Sequence, residues 1–410
     1  MTHNNELPVT HRSEKTVPSA ASVLAQSKEL PITDDYTGVL LANRPLLDLR
    51  APTEFTRGAF PASANLPLLT NAERHEVGLC YRQHGQEAAI KLGARLVDGD
   101  TRVQRIAAWS DYATQHPDAV IYCFRGGMRS AIVQQWLHEA GWTLPRIKGG
   151  YKALRWHLIT ELNKTMTPTH QAALPGIIVG GRTGSGKTVL LNRLSGSIDL
   201  EGLAEHRGSS FGATVIEQPS NINFEHRLAI ALLHYRQSAN NTTQPPVYLE
   251  DEGRMVGRVC IPQTFRDYML SLPCVLLETP LNERIDISRT AYVTELLEQY
   301  QQAETAPGEG FNAFADYHRS ALGRIRKRLG GLQYQQALHQ LERALHSHRE
   351  HDDVSGYDSF IELLLVGYYD PMYDYQLSTK NRQILFQGNA TEILDWSQSI
   401  TVNTLKGLLH

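Results

Sequence analysis

The chain has 410 residues, 41% of them apolar and 8% aromatic, with a formal net charge of -3. That is enough apolar material for the cores of two domains or more in a globular, enzyme-sized protein. It excludes a spanning helix, because no apolar run approaches the ~20 residues needed to cross a bilayer. Residues 1–29 are polar and lack the apolar core of a signal peptide, so a cytoplasmic protein with a loose tail over residues 1–35 is expected. Cys80, Cys123, Cys260 and Cys274 show neither C-x-x-C pairing nor zinc spacing. Neither a disulfide framework nor a structural metal is therefore indicated, and a lone reactive thiol is left open. The net charge is silent on nucleic acid, since an RNA enzyme needs only one basic face.

Short apolar runs alternate with helical stretches through residues 36–163, taken as a first domain. Residues 46–50 and 119–123 read as buried strands, and residues 130–140 as an amphipathic helix closed by Gly141. Residues 164–175, with two prolines and several threonines, read as a linker. The βα alternation then resumes, with strands expected at 177–180, 247–250 and 275–278. A second, parallel-sheet domain over 176–410 follows, with a helical insertion or extension around 291–353. The fold class is thus α/β, with a helical C-terminal portion. Arg319, Arg324, Arg326, Lys327 and Arg328 form its richest basic run, which suits either a solvated helix face or contacts from Arg324, Arg326, Lys327 and Arg328 to an RNA backbone.

Two loops carry the chemistry. The first, Cys123-Phe124-Arg125-Gly126-Gly127-Met128-Arg129-Ser130, joins an apolar strand to a helix. A chalcogen-carrying cysteine must be a thiolate, and backbone amides and a helix N-terminus favour that state. Gly126 and Gly127 let the amides curl inward, and Arg125 and Arg129 add positive charge for a phosphate-bearing donor. Cys80 lacks this setting and suits a packed thiol or a relay. The second loop, Gly181-Arg182-Thr183-Gly184-Ser185-Gly186-Lys187-Thr188, matches the G-x-x-x-x-G-K-[ST] phosphate loop between a strand and a helix. Amides of Gly184, Ser185 and Gly186 would surround a phosphate, Lys187 would neutralise it, and Thr188 with Asp251 could hold Mg²⁺. Glu250-Asp251-Glu252 sits where a Walker-B carboxylate belongs; a solvated strand end is the competing reading. No N-K-x-D signature follows, and a phosphate loop accepts a prenyl diphosphate as readily as a nucleotide if the rest of the pocket suits it.

The motifs extend further. Leu47-Asp48-Leu49-Arg50 with Glu54-Phe55 and Gly58-Ala59-Phe60-Pro61, and the run Ile147 to Leu154, resemble the opening and closing of a rhodanese domain, without its usual Gly-His. Asp48 and Arg50 are expected to pair structurally. Val77-Gly78-Leu79-Cys80-Tyr81, Gly85 to Ala89, Leu200 to Gly212, Glu250 to Arg254 and Tyr368 to Tyr373 complete a pattern similar to the tRNA 2-selenouridine synthase family, a rhodanese domain fused to a P-loop domain. This resemblance implies S-geranylation of wobble 2-thiouridine in tRNA with geranyl diphosphate. The sulfur is then replaced by selenium, carried from selenophosphate by Cys123. It implies tRNA and a selenophosphate-supplying enzyme as partners, and no tightly bound cofactor. His206, Arg207, Ser209 and Ser210 become candidates for lining the phosphate site or for holding a structural loop. An ATP-dependent tRNA thiolase or kinase, and a non-enzymatic persulfide carrier, remain the competing classes.

Overall fold

Leu46, Leu47, Val120 and Ile121 are at most 2% exposed, as strands covered on both faces of a parallel sheet require. In the computed structural model, which describes residues 29–164, 174–238, 244–304, 306, 308–380 and 382–409, they belong to the first of two compact units, Met1–Arg155 and Trp156–His410. The first unit contains β1 (Ile32–Thr33), β2 (Leu46–Asp48), β3 (Ser63–Asn65), β4 (Val120–Tyr122) and β5 (Arg146–Ile147). They form one sheet in the order β1-β5-β4-β2-β3, with every pairing parallel. The crossover helices pack Trp109, Val133 and Leu137 onto the sheet around Leu47 and Ile121. Helix Met128–Glu139 follows β4 directly. Most of the expected tail, residues 1–28, and of the expected linker, residues 165–173, lie outside the described residues. The second unit begins at Trp156, inside helix Gly150–Lys164.

The second unit is built on β6 (Gly176–Gly180), β7 (Ser197–Ile198), β8 (Val247–Glu250), β11 (Cys274–Leu277) and β12 (Ile384–Gly388); a small hairpin, β9 (Met255–Val256) and β10 (Val259–Cys260), lies apart from that sheet. The order is β12-β11-β6-β8-β7, all parallel. The strand entering the phosphate loop is therefore central, and the strand ending in the acidic run lies beside it, with Val179 opposite Glu250.

Between β11 and β12 the chain leaves the sheet for a helical insertion with its own core, in which Phe314, Leu322, Leu341 and Tyr357 are completely buried. The insertion is wider than the sequence suggests, running from helix Leu281–Arg289 to helix Asp370–Lys380. Two π-helical turns, Thr290–Thr294 and Leu365–Tyr369, lie within it. The second precedes Pro371, which has no N–H to offer the turn before it.

Candidate functional sites

The thiol loop is held by backbone. Cys123 is 3% exposed at the end of β4, and its Sγ lies 3.2 Å from Ser130 Oγ, which donates to the Gly127 carbonyl. The turn after β5 clasps the loop. Tyr151 N donates to Cys123 O at 2.9 Å, Lys152 N to Phe124 O at 3.0 Å, and Arg146 Nη1 to Gly126 O at 2.7 Å. Glycine is required on both sides, because a Cβ on Gly150 (φ 60°) would stand 2.2 Å from Cys123 O, and one on Gly126 (φ 62°) 2.7 Å from Gly150 N. The N-terminus of helix Met128–Glu139 points its free amides at the loop.

The arginines around this loop have different duties. Arg125 is exposed, whereas Arg129 forms an ion pair with Glu54 at 2.7 Å. Asp48 and Arg50 form the expected pair, buried at 2.6 Å, with Tyr122 OH donating to the same carboxylate. Arg50 also lies 3.9 Å from the centre of the Tyr151 ring, so the pair braces the clasping turn. Cys80 is half-buried on helix Asn71–Leu96.

The phosphate loop is less complete. Gly184 (φ 78°) and Gly186 (φ 84°) give the left-handed turns that direct amides inward, and a Cβ on Gly184 would meet Ser288 Oγ at 2.5 Å. The Lys187 ammonium turns back on its own loop, donating to Gly181 O at 2.7 Å and Arg182 O at 3.2 Å. The Ser185 and Ser288 hydroxyls are buried without a hydrogen-bond partner. Arg284, 3% exposed, donates to Thr183 O and grips Asp370 at 2.5 and 2.9 Å, so the Tyr368 to Tyr373 stretch supports the loop from below.

The acidic run divides its work. Glu250 Oε2 accepts from the Leu200 and Glu201 amides, and burial, then Glu201, pushes its carboxyl well above the usual range. Asp251 is committed to Lys380 at 2.6 Å and Arg382 at 2.9 Å. Thr188 Oγ1 instead donates to Glu201 Oε2 at 3.3 Å. Burial and the neighbouring Glu252 push Glu201 up to about 8, with Lys187 opposing. The Thr188–Asp251 pairing read from the sequence as an Mg²⁺ site is thus not assembled. Among the described residues, no group of three His, Cys, Asp or Glu is arranged to hold a metal. A Cβ on Gly208 would meet Glu201 and Glu252 at 2.0 and 2.7 Å, so glycine lets the following loop close over both carboxyls.

That loop borders two cavities. A wide cleft of about 850 Å³ runs between His206, Ser209, Ser210, Tyr317, Arg324 and Arg328. A narrow crevice of about 40 Å³ passes from Thr183 and Ser288, by Ser209, into the helical insertion between Phe211, Val293, Phe360 and Leu364. Ser209 borders both. Arg207 is not at the phosphate loop; it pairs with Glu295 at 2.7 Å and bonds the Ala291 carbonyl. Of the basic run, Arg324 donates to Ser210 O, Arg328 faces the cleft, Arg326 lies over Tyr334 at 5.1 Å, and Lys327 is exposed. Sequence reasoning missed Glu201, Arg284 and Ser288. Glu201 lies inside a stretch singled out for its resemblance, but only the fold brings it to Thr188.

A sequence model of the tRNA 2-selenouridine synthase AAA domain matches residues 174–404. The tRNA 2-selenouridine synthase of Marinobacter nauticus is 46% identical over 371 residues, covering 90% of this chain and 98% of that protein. The chain belongs to the tRNA 2-selenouridine synthase family. Relatives of the same name from Hahella chejuensis, 46% identical over 89% of this chain and 93% of theirs, and from Sulfurovum sp., 45% identical over 89% and 98%, agree. The family likeness therefore spans both loops. No helix among the described residues is long and apolar enough to cross a membrane.

Proposed function

We propose that this chain converts the wobble 2-thiouridine of tRNA to 2-selenouridine in two steps, one for each loop, with the first unit acting as a rhodanese-like carrier in the cytoplasm. In the first step the thiouridine sulfur attacks C1 of geranyl diphosphate and the C–O bond to diphosphate breaks. Lys187 and the amides from Gly184 to Thr188 accept the charge that develops on the leaving diphosphate, which is where a transferase gains most. Alkylation turns a poor leaving group into a better one. In the second step selenophosphate is held at the Cys123 loop, its selenium attacks C2 of the base, the geranylated sulfur leaves as geranylthiolate, and water cleaves the P–Se bond to release phosphate. Arg125, exposed beside Cys123, meets the donor phosphate, while Arg324 and Arg328 at the wide cleft meet RNA phosphates.

The observation that carries this reading is a phosphate loop whose adjoining crevice is walled mostly by apolar surface, from Phe211, Val293, Phe360 and Leu364, with His318, Tyr292 and Tyr369 beside them. A nucleotide would place a polar ribose there, and a prenyl group places hydrocarbon. The test incubates the full chain with thiolated tRNA, geranyl diphosphate and selenophosphate, with and without ATP, and measures nucleosides by mass spectrometry. S-geranyl and 2-seleno nucleosides formed without ATP are expected. A strict ATP requirement would favour the thiolase or kinase reading instead.

A further inference from the structure

The narrow crevice combines three independent features. It opens at Thr183 of the phosphate loop, and its mouth holds Ser288, 3% exposed, whose hydroxyl is buried without a partner and would stand 2.5 Å from a Cβ on Gly184. Its remaining surface is mostly apolar, from Phe211, Val293, Phe360 and Leu364, although His318, Tyr292, Tyr369 and Ser209 also line it. Both π-helical turns among the described residues contribute to it, Tyr292 and Val293 from one, Leu365 and Tyr369 from the other. A π-turn costs helix hydrogen-bond geometry and is frequent at functional sites.

We infer that the crevice is the subsite for the hydrocarbon tail of the prenyl diphosphate, with the diphosphate on the Gly184–Thr188 amides and the Ser288 hydroxyl at the junction of head and tail. This rests on the geranyl-transfer reading above and adds to it the location of the tail and the residues that set its length. Its volume of about 40 Å³ has room for no more than a few waters. A ten-carbon tail therefore enters by displacing wall side chains, and the two π-turns are the segments that repack. Discrimination follows from the walls: a bulkier residue at Leu364 shortens the crevice, and a smaller one at Phe360 lengthens it.

The experiment measures binding of geranyl diphosphate, farnesyl diphosphate and inorganic pyrophosphate to the full chain by calorimetry, for the wild type, Leu364→Trp and Phe360→Ala. Loss of a few buried methylenes predicts that Leu364→Trp weakens geranyl diphosphate at least about tenfold while pyrophosphate changes less than about twofold. Phe360→Ala should move the preference toward farnesyl diphosphate. A photoreactive geranyl diphosphate analogue on the wild type, mapped by peptide mass spectrometry, should label the peptides bearing Tyr292–Val293 and Phe360–Tyr369, and needs no variant to fold. If the wild type prefers geranyl diphosphate to pyrophosphate but neither variant alters that preference and the label falls elsewhere, the tail site is misplaced while the geranyl reading stands. If the wild type shows no preference over pyrophosphate, the geranyl reading itself fails and the subsite with it.

Discussion

Cys123 and Lys187 each lie on a loop that joins a buried parallel strand to a helix, Lys187 as the helix's first residue, yet their surroundings are finished to different degrees. Around Cys123 the carbonyls of residues 123, 124 and 126 already have donors, supplied by Arg146 of β5 and by the turn after it, which interlocks through Gly126 and Gly150. Around Lys187 the ammonium bonds to its own loop, two buried hydroxyls have no partner, and Glu201 and Glu252 share one small space. The difference teaches what each loop must do. A carrier thiol needs a cradle of fixed shape whatever it holds, and backbone supplies that. A site that binds and releases diphosphate keeps donors that a ligand can take over, here the unpartnered Ser185 and Ser288 hydroxyls and an ammonium that rests on its own loop carbonyls until a diphosphate replaces them.

The contrast can be broken at several points. The largest effect should come from Lys187→Ala, which removes the main charge on the leaving diphosphate and should slow geranylation by about 10²–10³ or more; single-turnover rates with thiolated tRNA measure it, and an unchanged rate would remove Lys187 from the step. Next is Asp48→Ala, which leaves Arg50 buried and unpaired and should cost about 3–5 kcal/mol of stability in the first unit. Urea unfolding followed by a probe in that unit gives the value, and a loss below about 1 kcal/mol would mean the pair does not brace the clasp.

A third point separates the units by pH. Burial pushes His318 in the helical insertion down to about 4 from 6.5. The folded state thus binds fewer protons than the unfolded chain between these values, so its stability is full above pH 6.5 and falls as pH drops toward 4, by about 3 kcal/mol. His318→Gln, which retains a donor for the Phe314 carbonyl, should flatten that slope in urea titrations from pH 4 to 7. The smallest effect concerns RNA: replacing Arg324 and Arg328 by Ala should lower the log–log salt slope of tRNA binding by about one unit per lost contact, and an unchanged slope would return the helix to a solvated face.

Much of this architecture was legible in the sequence because parallel strands buried on both faces are written as short unbroken apolar runs. Residues 46–48, 120–122, 176–180 and 247–250 are such runs, and the glycines after two of them mark the loops. The extent of the helical insertion was less legible. The stretch around Tyr368-Tyr369-Asp370-Pro371 looks like a loop, and a π-turn shifts the 3.6-residue register on which helix reading depends. The site was legible in its motifs and obscure in its partners. Arg207 stands in a phosphate-like setting along the chain but reaches Glu295, and Asp251 has the sequence position of a metal ligand but is held by Lys380 at the end of the insertion and Arg382 just beyond it. Glu201 reaches Thr188 only because β7 lies beside β8 and the helix Leu200–Leu203 starts under Glu250.

The central claim, that the two loops perform successive steps, is tested most directly by nucleoside mass spectrometry on Cys123→Ser and Lys187→Ala supplied with thiolated tRNA, geranyl diphosphate and selenophosphate. Cys123→Ser should accumulate S-geranyl-2-thiouridine and form no 2-selenouridine. Lys187→Ala should leave 2-thiouridine unmodified, yet convert tRNA that has already been geranylated to the seleno form at close to the wild-type rate. A Cys123→Ser enzyme that makes 2-selenouridine normally, or a Lys187→Ala enzyme unable to use geranylated tRNA, would contradict the division of labour between the loops.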